Sequence, residues 1–322
     1  MKNYAKLIKL TLLVVSSTLM FSCSDDDSAP QNNSITDIAS GNPNFSILVD
    51  ALSRADLAET LDQAGSYTVF APTNDAFLDF LDANGFESLD DVPLPTLTQV
   101  LLNHVVSGTN LSTGLTTGYV KTLAKGSASS TNTLSMFINT ESGVRLNGVS
   151  SVTTADITAN NGVIHVVDAV IGLPTIVTHA TANPNFSTLA SLLTQQSLIG
   201  TLDGTSSSPF TVFAPTNAAF AKLPAGTVDF LVKPENKAIL SKVLTYHVVA
   251  GKFAAGDVVK AINDAKGTLS LKTVSGGTLL ASLKDGKVIL KDEKGGTSTV
   301  VVADLIAGNG VIHVIDSVVL PN

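Results

Sequence analysis

Four of the five histidines occupy positions that recur along the chain, and they are the first candidates for reactive or metal-binding chemistry. His104 and His247 each follow apolar residues at helical spacing, whereas His165 and His313 alternate with valine and isoleucine as on a strand. A general base or a metal ligand needs convergent His, Cys or carboxylate partners, and none stands at i+4 on the same helix. We therefore predict that these histidines belong to the framework and that the chain uses no metal and no cofactor.

A second recurring polar group is a Thr-Asn pair that follows a strand-like segment and a proline. Thr73 with Asn74, and Thr216 with Asn217, offer a hydroxyl and an amide, but capping of the next helix accounts for both without catalysis. The sequence has no G-x-S-x-G elbow, no H-E-x-x-H motif and no phosphate-binding loop. These residues predict a protein that is not an enzyme.

Asparagine-glycine pairs mark a hairpin near the end of each half of the sequence. Asn161 and Asn309 each precede a glycine, and a type I′ turn there would need positive φ at both central residues. Asp168 and Asp316 end the strand-like segments that follow. We expect all four side chains to serve the framework.

These residues recur because the chain repeats itself. The segment Phe-Ala-Pro-Thr-Asn begins at Phe70 and again at Phe213, an offset of 143 residues. The segment Asn-Gly-Val-Ile-His-Val begins at Asn161 and again at Asn309, an offset of 148 residues. Ordered matches of this kind predict two homologous domains. The increase in offset along the chain predicts small insertions in the loops between matched segments.

The repeat divides the sequence into two predicted domains of ordinary size, residues 34–173 (domain 1) and residues 174–322 (domain 2). Domain 1 carries 14 acidic and 4 basic side chains, and domain 2 carries 10 and 12. A formal net charge of −8 and a pI near 5.0 argue against nucleic-acid binding, because a binder of the phosphate backbone needs a basic face. A hydrophobic content of 44% is enough to bury two cores.

The elements that must position these residues follow from the change of hydrophobic period within each domain. Leu97, Val100 and Leu101 lie at helical spacing before His104. Later in domain 2, β-branched segments are separated by Gly-Gly or Asp-Gly pairs, which is the turn chemistry of successive hairpins. The sequence predicts an α+β fold in which helices flank a mainly antiparallel sheet.

The first 33 residues predict export and anchoring. Three lysines precede an apolar run that is too short to span a bilayer, which is typical of a signal peptide over residues 1–22. Cys23, the single cysteine, follows Ser22 and resembles the lipidation site of a bacterial lipobox; an ordinary signal with an incidental Cys is the alternative. Residues 23–33 form an acidic, polar tether, which is either a surface-export signal or a plain spacer. The prediction is a cell-envelope protein held by lipid, at the outer membrane or exposed beyond it.

The recurring segments resemble the signatures of the fasciclin (FAS1) domain. The resemblance occurs twice, once in each predicted domain, and together the two copies cover nearly the whole chain after the tether. The Phe-Ala-Pro-Thr-Asn and Asn-Gly-Val-Ile-His segments are similar to its two signature regions, and Tyr246-His247 to its tyrosine-histidine motif. Domain 1 has Asn103-His104 instead. The resemblance implies a β-sandwich or wedge with flanking helices in each domain.

The resemblance also implies adhesion or matrix contact without catalysis. We therefore expect a surface-anchored recognition protein whose partners are cell-surface or matrix proteins or glycans, with attachment to a membrane through its lipid. Tyr246 and His247 are the candidate binding residues if Tyr246 is exposed, and simple packing of Tyr246 is the alternative. A polymer-degrading or accessory enzyme, or a small-ligand scaffold at the cell surface, is the alternative function.

Overall fold

Each domain begins with short helices and ends in a sheet, as the change of hydrophobic period predicts. The structure, a computed structural model, describes residues 33–126, 131–203 and 209–322. The predicted signal peptide (residues 1–22) and Cys23 lie outside these ranges. Within them, no helix has the length and apolar character needed to cross a membrane.

In its described residues, domain 1 has five α-helices and seven strands. The helices are α1 (Ile35–Ser40), α2 (Ser46–Arg54), α3 (Ala58–Asp62), α4 (Asn74–Ala83) and α5 (Leu94–Asn103). The strands are β1 (Tyr67–Pro72), β2 (Val105–Ser107), β3 (Gly118–Lys125), β4 (Thr133–Asn139), β5 (Arg145–Leu146), β6 (Ser150–Ala159) and β7 (Gly162–Val167). Short 3₁₀ turns occur at Pro43–Phe45, Leu89–Asp91 and Ser112–Gly114.

Domain 2 repeats this order with more helices. Its helices are α6 (Ile176–Ala182), α7 (Ser187–Gln195), α8 (Ile199–Asp203), α9 (Asn217–Ala221), α10 (Thr227–Leu231), α11 (Lys237–Tyr246) and α12 (Ala255–Asp264). Its strands are β8 (Phe210–Pro215), β9 (Val248–Ala250), β10 (Thr268–Lys272), β11 (Thr278–Lys284), β12 (Lys287–Lys291), β13 (Thr297–Ala307) and β14 (Gly310–Ile315). Its 3₁₀ turns are Pro184–Phe186 and Pro234–Asn236.

The sheet of each domain combines antiparallel neighbours with one parallel pair. In domain 1 the strands close into a barrel in sequence order, and in domain 2 the order is β10-β11-β12-β13-β14-β8-β9. β1 pairs in parallel with β7, and β8 pairs in parallel with β14. The α+β prediction is confirmed, and so is the meander of hairpins. The parallel pair was not predicted; a parallel pair needs a long crossover, and here most of the domain lies between the two strands.

The first strand of each sheet separates two apolar layers. In β1, Val69 and Ala71 join the cluster beneath the helices, whereas Phe70 points into the interior of the barrel. In β8, Phe213 likewise enters a different cluster from its neighbours. This alternation has the period of two that a strand imposes. The Phe-Ala-Pro segment is therefore shared between the helical core and the sheet core.

The two domains also share a buried apolar contact. Ala124 and Leu134 of domain 1 cluster with Ile306 and Val311 of domain 2. All four residues are at most 1% exposed. The repeated units therefore pack directly against each other.

The prediction of a type I′ turn at the Asn-Gly pairs is wrong. Neither Asn161 nor Asn309 has a positive φ. A different contact explains the glycine: a Cβ on Gly162 would lie 2.0 Å from the carbonyl oxygen of Tyr67 on the parallel neighbour. The glycine therefore allows strands to approach, whereas the pair Asp285-Gly286 does form a turn with positive φ at both residues.

Candidate functional site

The histidine at the end of α5 joins two backbone segments of domain 1. The Nδ1 atom of His104 lies 2.8 Å from the carbonyl oxygen of Val100, and its Nε2 atom accepts a hydrogen bond from the Ile171 amide at 2.9 Å. An amide N–H can only donate, so Nε2 carries no proton and Nδ1–H is the donor. The ring is neutral and both nitrogens are used.

His247 repeats this arrangement at the end of α11. Its Nδ1 donates to the carbonyl oxygen of Val243 at 2.8 Å, and its Nε2 accepts from the Val319 amide at 3.3 Å. Burial lowers the pKa of both His104 and His247 to about 4. Each ring ties a helix end to the segment that follows the last strand, as the framework interpretation predicts.

His165 belongs to a second network, which includes a serine and a carboxylate. Its Nδ1 accepts from the Asp156 amide at 3.2 Å, and its Nε2 donates to the carbonyl oxygen of Asn110 at 2.9 Å. The carboxylate of Asp156 accepts two bonds from Ser112, at 2.7 and 2.5 Å, and these bonds lower its pKa. A catalytic triad needs the imidazole between serine and carboxylate. Here the carboxylate lies between them, so His165 cannot take the proton of Ser112.

His313 holds the equivalent place in domain 2. It donates from Nε2 to the carbonyl oxygen of Phe253 at 2.8 Å and accepts at Nδ1 from the Asp304 amide at 3.4 Å. Asp304 Oδ1 accepts from the Ala255 amide at 2.8 Å. Sequence reasoning missed Asp156 and Asp304, although the pair Ala-Asp recurs at the 148-residue offset and both aspartates have positive φ.

The Thr-Asn pairs cap and clamp helices, as predicted. Thr73 Oγ1 accepts from the Ala76 amide at 3.3 Å, and Asn74 bonds through both ends of its amide to Ile47 N (3.0 Å) and Pro43 O (2.9 Å). The same bonds recur from Ala219 N to Thr216 Oγ1 (3.2 Å), from Thr188 N to Asn217 Oδ1 (3.0 Å) and from Asn217 Nδ2 to Pro184 O (2.9 Å). No free nucleophile results.

Asn161 and Asn309 hold the first helix of their domains. Asn161 Oδ1 accepts from the Ile35 amide at 2.9 Å, and its Nδ2 donates to Leu61 O at 2.6 Å. Asn309 makes the equivalent bonds to Ile176 N (2.9 Å) and Leu202 O (2.6 Å). These asparagines therefore join the second signature region to helices at the opposite end of the domain sequence.

The strand-end aspartates bond across the neighbouring strand. Asp168 Oδ1 accepts from the Ser151 amide at 2.6 Å, and Asp316 Oδ1 accepts from the Thr299 amide at 2.8 Å. Lys222 Nζ lies 3.6 Å from Asp316 Oδ2. Both carboxylates are positioned as strand caps.

Tyr246 is not exposed, so the condition for its role as a binding residue is not met. The side chain is 0% exposed; its hydroxyl donates to Thr278 O at 2.7 Å and accepts from the Glu293 amide at 3.2 Å. Burial raises the pKa of Tyr246 to about 12. In domain 1, Asn103 takes this place and donates to Gly172 O at 3.0 Å. Tyr246 and His247 pack in the interior, which is the alternative that the sequence left open.

The fifth histidine, His179 on α6, lies where the domains meet. Its ring is 5.4 Å from that of Tyr119 in domain 1, and among the described residues neither ring nitrogen has a hydrogen-bond partner. Burial lowers the pKa of His179 to about 4. The ring is a buried neutral group and is not part of the repeated network.

The recurring polar residues thus form what we call the polar framework, namely Thr73, Asn74, His104, Asn161, His165, Asp168 and their domain 2 counterparts Thr216, Asn217, His247, Asn309, His313 and Asp316. In the described part of the chain, no group of three His, Cys, Asp or Glu side chains could hold a metal ion. Both nitrogens of every repeated histidine are engaged. The arrangement braces the fold.

Comparison with known proteins agrees with the repeated framework. The family model of the fasciclin domain matches residues 43–174 and residues 184–321. The chain belongs to the fasciclin family. A pair of such domains also occurs in an insect cell adhesion molecule. The resemblance seen in the sequence is confirmed, whereas the bounds 34–173 and 174–322 stay predictions.

This fasciclin protein is similar in sequence to two relatives and in fold to one solved structure. It is 48% identical over 147 residues to protein sll1483 of Synechocystis sp., covering 46% of this chain and 73% of that protein. It is 50% identical over 82 residues to the cell surface glycolipoprotein MPB83 of Mycobacterium bovis, covering 24% of this chain and 35% of that protein. The FAS1 domain pair of the insect cell adhesion molecule fasciclin I has a TM-score of 0.50 at 20% identity over 88% of this chain and 95% of that one, which supports the fold.

Proposed function

We propose that this fasciclin protein is a non-catalytic adhesion or recognition protein of the cell envelope, anchored by lipid on Cys23 at the outer membrane or exposed beyond it. One observation carries the non-catalytic part: the polar framework is satisfied internally, so the residues that recur are used for building the fold. The relative named a cell surface glycolipoprotein supports the anchoring part. The partners are cell-surface or matrix proteins or glycans.

Recognition on this proposal uses exposed side chains rather than Tyr246 or His247. Leu78 on α4 is 54% exposed and Phe230 on α10 is 48% exposed. Aromatic side chains such as Phe are enriched at the centres of protein interfaces, and Leu78 gives a second large apolar side chain with a comparable exposed fraction. They are therefore the first positions to substitute.

The binding test presents the purified protein to immobilised matrix proteins, glycans and envelope fractions. We expect a saturable ligand whose affinity falls when Leu78→Ser or Phe230→Ser is introduced. Tyr246→Phe is the matched control, because it removes only a buried hydroxyl and leaves the surface unchanged. Absence of any ligand across the three panels, or turnover of a chromogenic ester or glycoside that His247→Ala abolishes with the fold intact, would contradict the proposal.

Anchoring is tested separately with Cys23→Ala. Acyl chains contribute about 0.8 kcal/mol per buried CH₂, so a multiply acylated Cys23 holds the protein on a membrane. We expect Cys23→Ala to move the protein from the membrane pellet to the soluble fraction, whereas Ser24→Ala stays with the membrane. Retention of Cys23→Ala in the pellet would show that another attachment operates.

A further inference from the structure

Domain 2 contains an apolar cavity that the polar framework does not use. The cavity has a volume of about 220 Å³ and lies between α12 and the strands β12 and β13. Valine and alanine side chains form most of its wall, namely Ala255, Val258, Val259, Val288, Val300 and Val301. Phe213 and His313 also line it. The lining is thus mainly aliphatic with aromatic rings on one side.

The cavity depends on a helix that only domain 2 has among the described residues and on a strand bulge that both domains share. The helix α12 follows β9, whereas domain 1 has the single turn Ser112–Gly114 after β2. The pairing of β13 with β14 is also irregular between Val300 and Leu305, where Asp304 has a φ of 59°. A bulge of this kind bends a strand away from its neighbour. The helix and the bulged strand form opposite walls.

Val301, which lines the cavity, and the next residue along β13 are apolar where domain 1 is polar. Val301 is 51% exposed and Val302 is 45% exposed. At the 148-residue offset, domain 1 has Thr153 and Thr154 instead. Of the two valines, Val301 lines the cavity, and an apolar occupant that covers its side chain removes apolar surface from water, which is favourable.

Lys287 supplies the charged group among the described lining residues. His313 cannot bind a ligand through its nitrogens, because one donates to Phe253 O and the other accepts from the Asp304 amide. Lys287 is exposed, and within the described ranges no carboxylate lies within 4.0 Å of its ammonium group. The cavity therefore combines an apolar wall with a free positive charge at its edge.

We propose that this cavity binds a small amphipathic carboxylate, with its chain or ring against the valines and its carboxylate beside Lys287. An apolar cavity of about 150 Å³ is known to accept benzene, so a volume of about 220 Å³ accommodates a ring or a chain of roughly six to eight carbons. The surplus of basic over acidic residues in domain 2 favours an anion. This site goes beyond the adhesion proposal and does not rest on it.

Octanoate is the probe for the test, added to ¹⁵N-labelled protein and followed by amide chemical shifts and by calorimetry. We expect saturable binding with shifts concentrated at Val258, Gly286 and Val301. Lys287→Gln weakens binding about three- to fivefold, the range of an exposed ion pair. Val301→Thr, which copies domain 1, weakens it about fourfold through the loss of one apolar group. Neutral octan-1-ol binds the wild type and Lys287→Gln equally.

Lys291→Gln is the matched control, because it removes one exposed charge from the same strand without touching the cavity. It leaves octanoate affinity within twofold. Circular dichroism and the amide spectrum establish that each variant is folded. The proposal is overturned if the shifts map elsewhere or if Lys287→Gln and Lys291→Gln weaken octanoate binding equally. It is also overturned if binding does not saturate by about 10 mM octanoate, which is well above the Kd of even a weak ligand.

Discussion

At the scale of the residue, the recurring histidines are valuable because a neutral imidazole donates with one nitrogen and accepts with the other. His104 bonds to a carbonyl on its own helix and to the Ile171 amide, which is 67 residues away in sequence. Protonation would place a second N–H against that amide, and the bond would become a repulsive contact. The framework therefore depends on the protonation state of His104 and His247.

This dependence predicts loss of stability in mild acid. The pKa of His104 and of His247 is about 4 in the folded chain, against an ordinary value of 6.5, so the unfolded chain binds more protons between these values. Their contribution is complete above pH 6.5 and is lost as the pH falls toward 4. We expect a loss of about 2 kcal/mol per imidazole at pH 5, measured by urea unfolding.

His104→Gln separates this effect from the titration of other groups. The variant is less stable than the wild type at pH 7, but its free energy of unfolding declines less steeply between pH 6.5 and pH 5. Equal slopes for both proteins would contradict the assignment of a neutral His104.

At the scale of the element, the parallel strand pair explains why each signature region contains a glycine. A Cβ on Gly310 would lie 2.3 Å from the carbonyl oxygen of Phe210, and one on Gly162 would lie 2.0 Å from that of Tyr67. These distances are below van der Waals contact with backbone atoms, which cannot rotate away. The glycines therefore set how closely the first and last strands of each sheet approach.

Gly310→Ala is expected to destabilise the protein by at least about 2 kcal/mol, because the parallel pair must separate to admit the methyl group. Gly256→Ala on α12 is the control; a Cβ there meets no atom within 4 Å. Alanine favours a helix over glycine by up to about 1 kcal/mol, so this variant is as stable as the wild type or more so. Thermal unfolding compares the two, and a stable Gly310→Ala would refute the close-approach argument.

At the scale of the whole molecule, hydrogen bonds also join the two domains beside their apolar contact. Ser135 Oγ accepts from the Ile306 amide at 3.0 Å and from Lys121 Nζ at 3.0 Å. Lys121 Nζ also donates to the carbonyl oxygen of Asp304 at 2.7 Å. Asp304 positions His313, so the contact between domains reaches the polar framework of domain 2 directly.

Ser135→Val is expected to leave the buried Ile306 amide without its acceptor and to cost about 1 to 3 kcal/mol. The diagnostic readout is hydrogen exchange: protection of the Ile306 amide in domain 2 falls although the substitution lies in domain 1. Ser142→Val, at an exposed site in domain 1, leaves that protection unchanged. If the Ile306 amide is as protected from exchange in both variants as in the wild type, the domains are not coupled through Ser135.

Features whose bonding partners are near in the chain, or that occur twice, can be predicted from the amino-acid sequence alone. Thr73 was correctly predicted as a cap because its bond reaches only three residues ahead. The duplication follows from ordered repeats in the sequence. The α+β fold and the core-facing histidines follow from the hydrophobic period, because the spacing of nearby residues is enough to show it.

Roles that depend on distant partners cannot be predicted in this way and become clear from the folded chain. Asn161 looked like a turn residue, but its bonds reach Ile35 and Leu61, 126 and 100 residues away. Tyr246 lies at the edge of a helical stripe, and its ring is buried in an apolar cluster with strands of the sheet, where Thr278 and Glu293 bond to its hydroxyl. Spacing along the chain reports which face of an element a residue occupies, whereas what covers that face depends on how elements from remote segments pack.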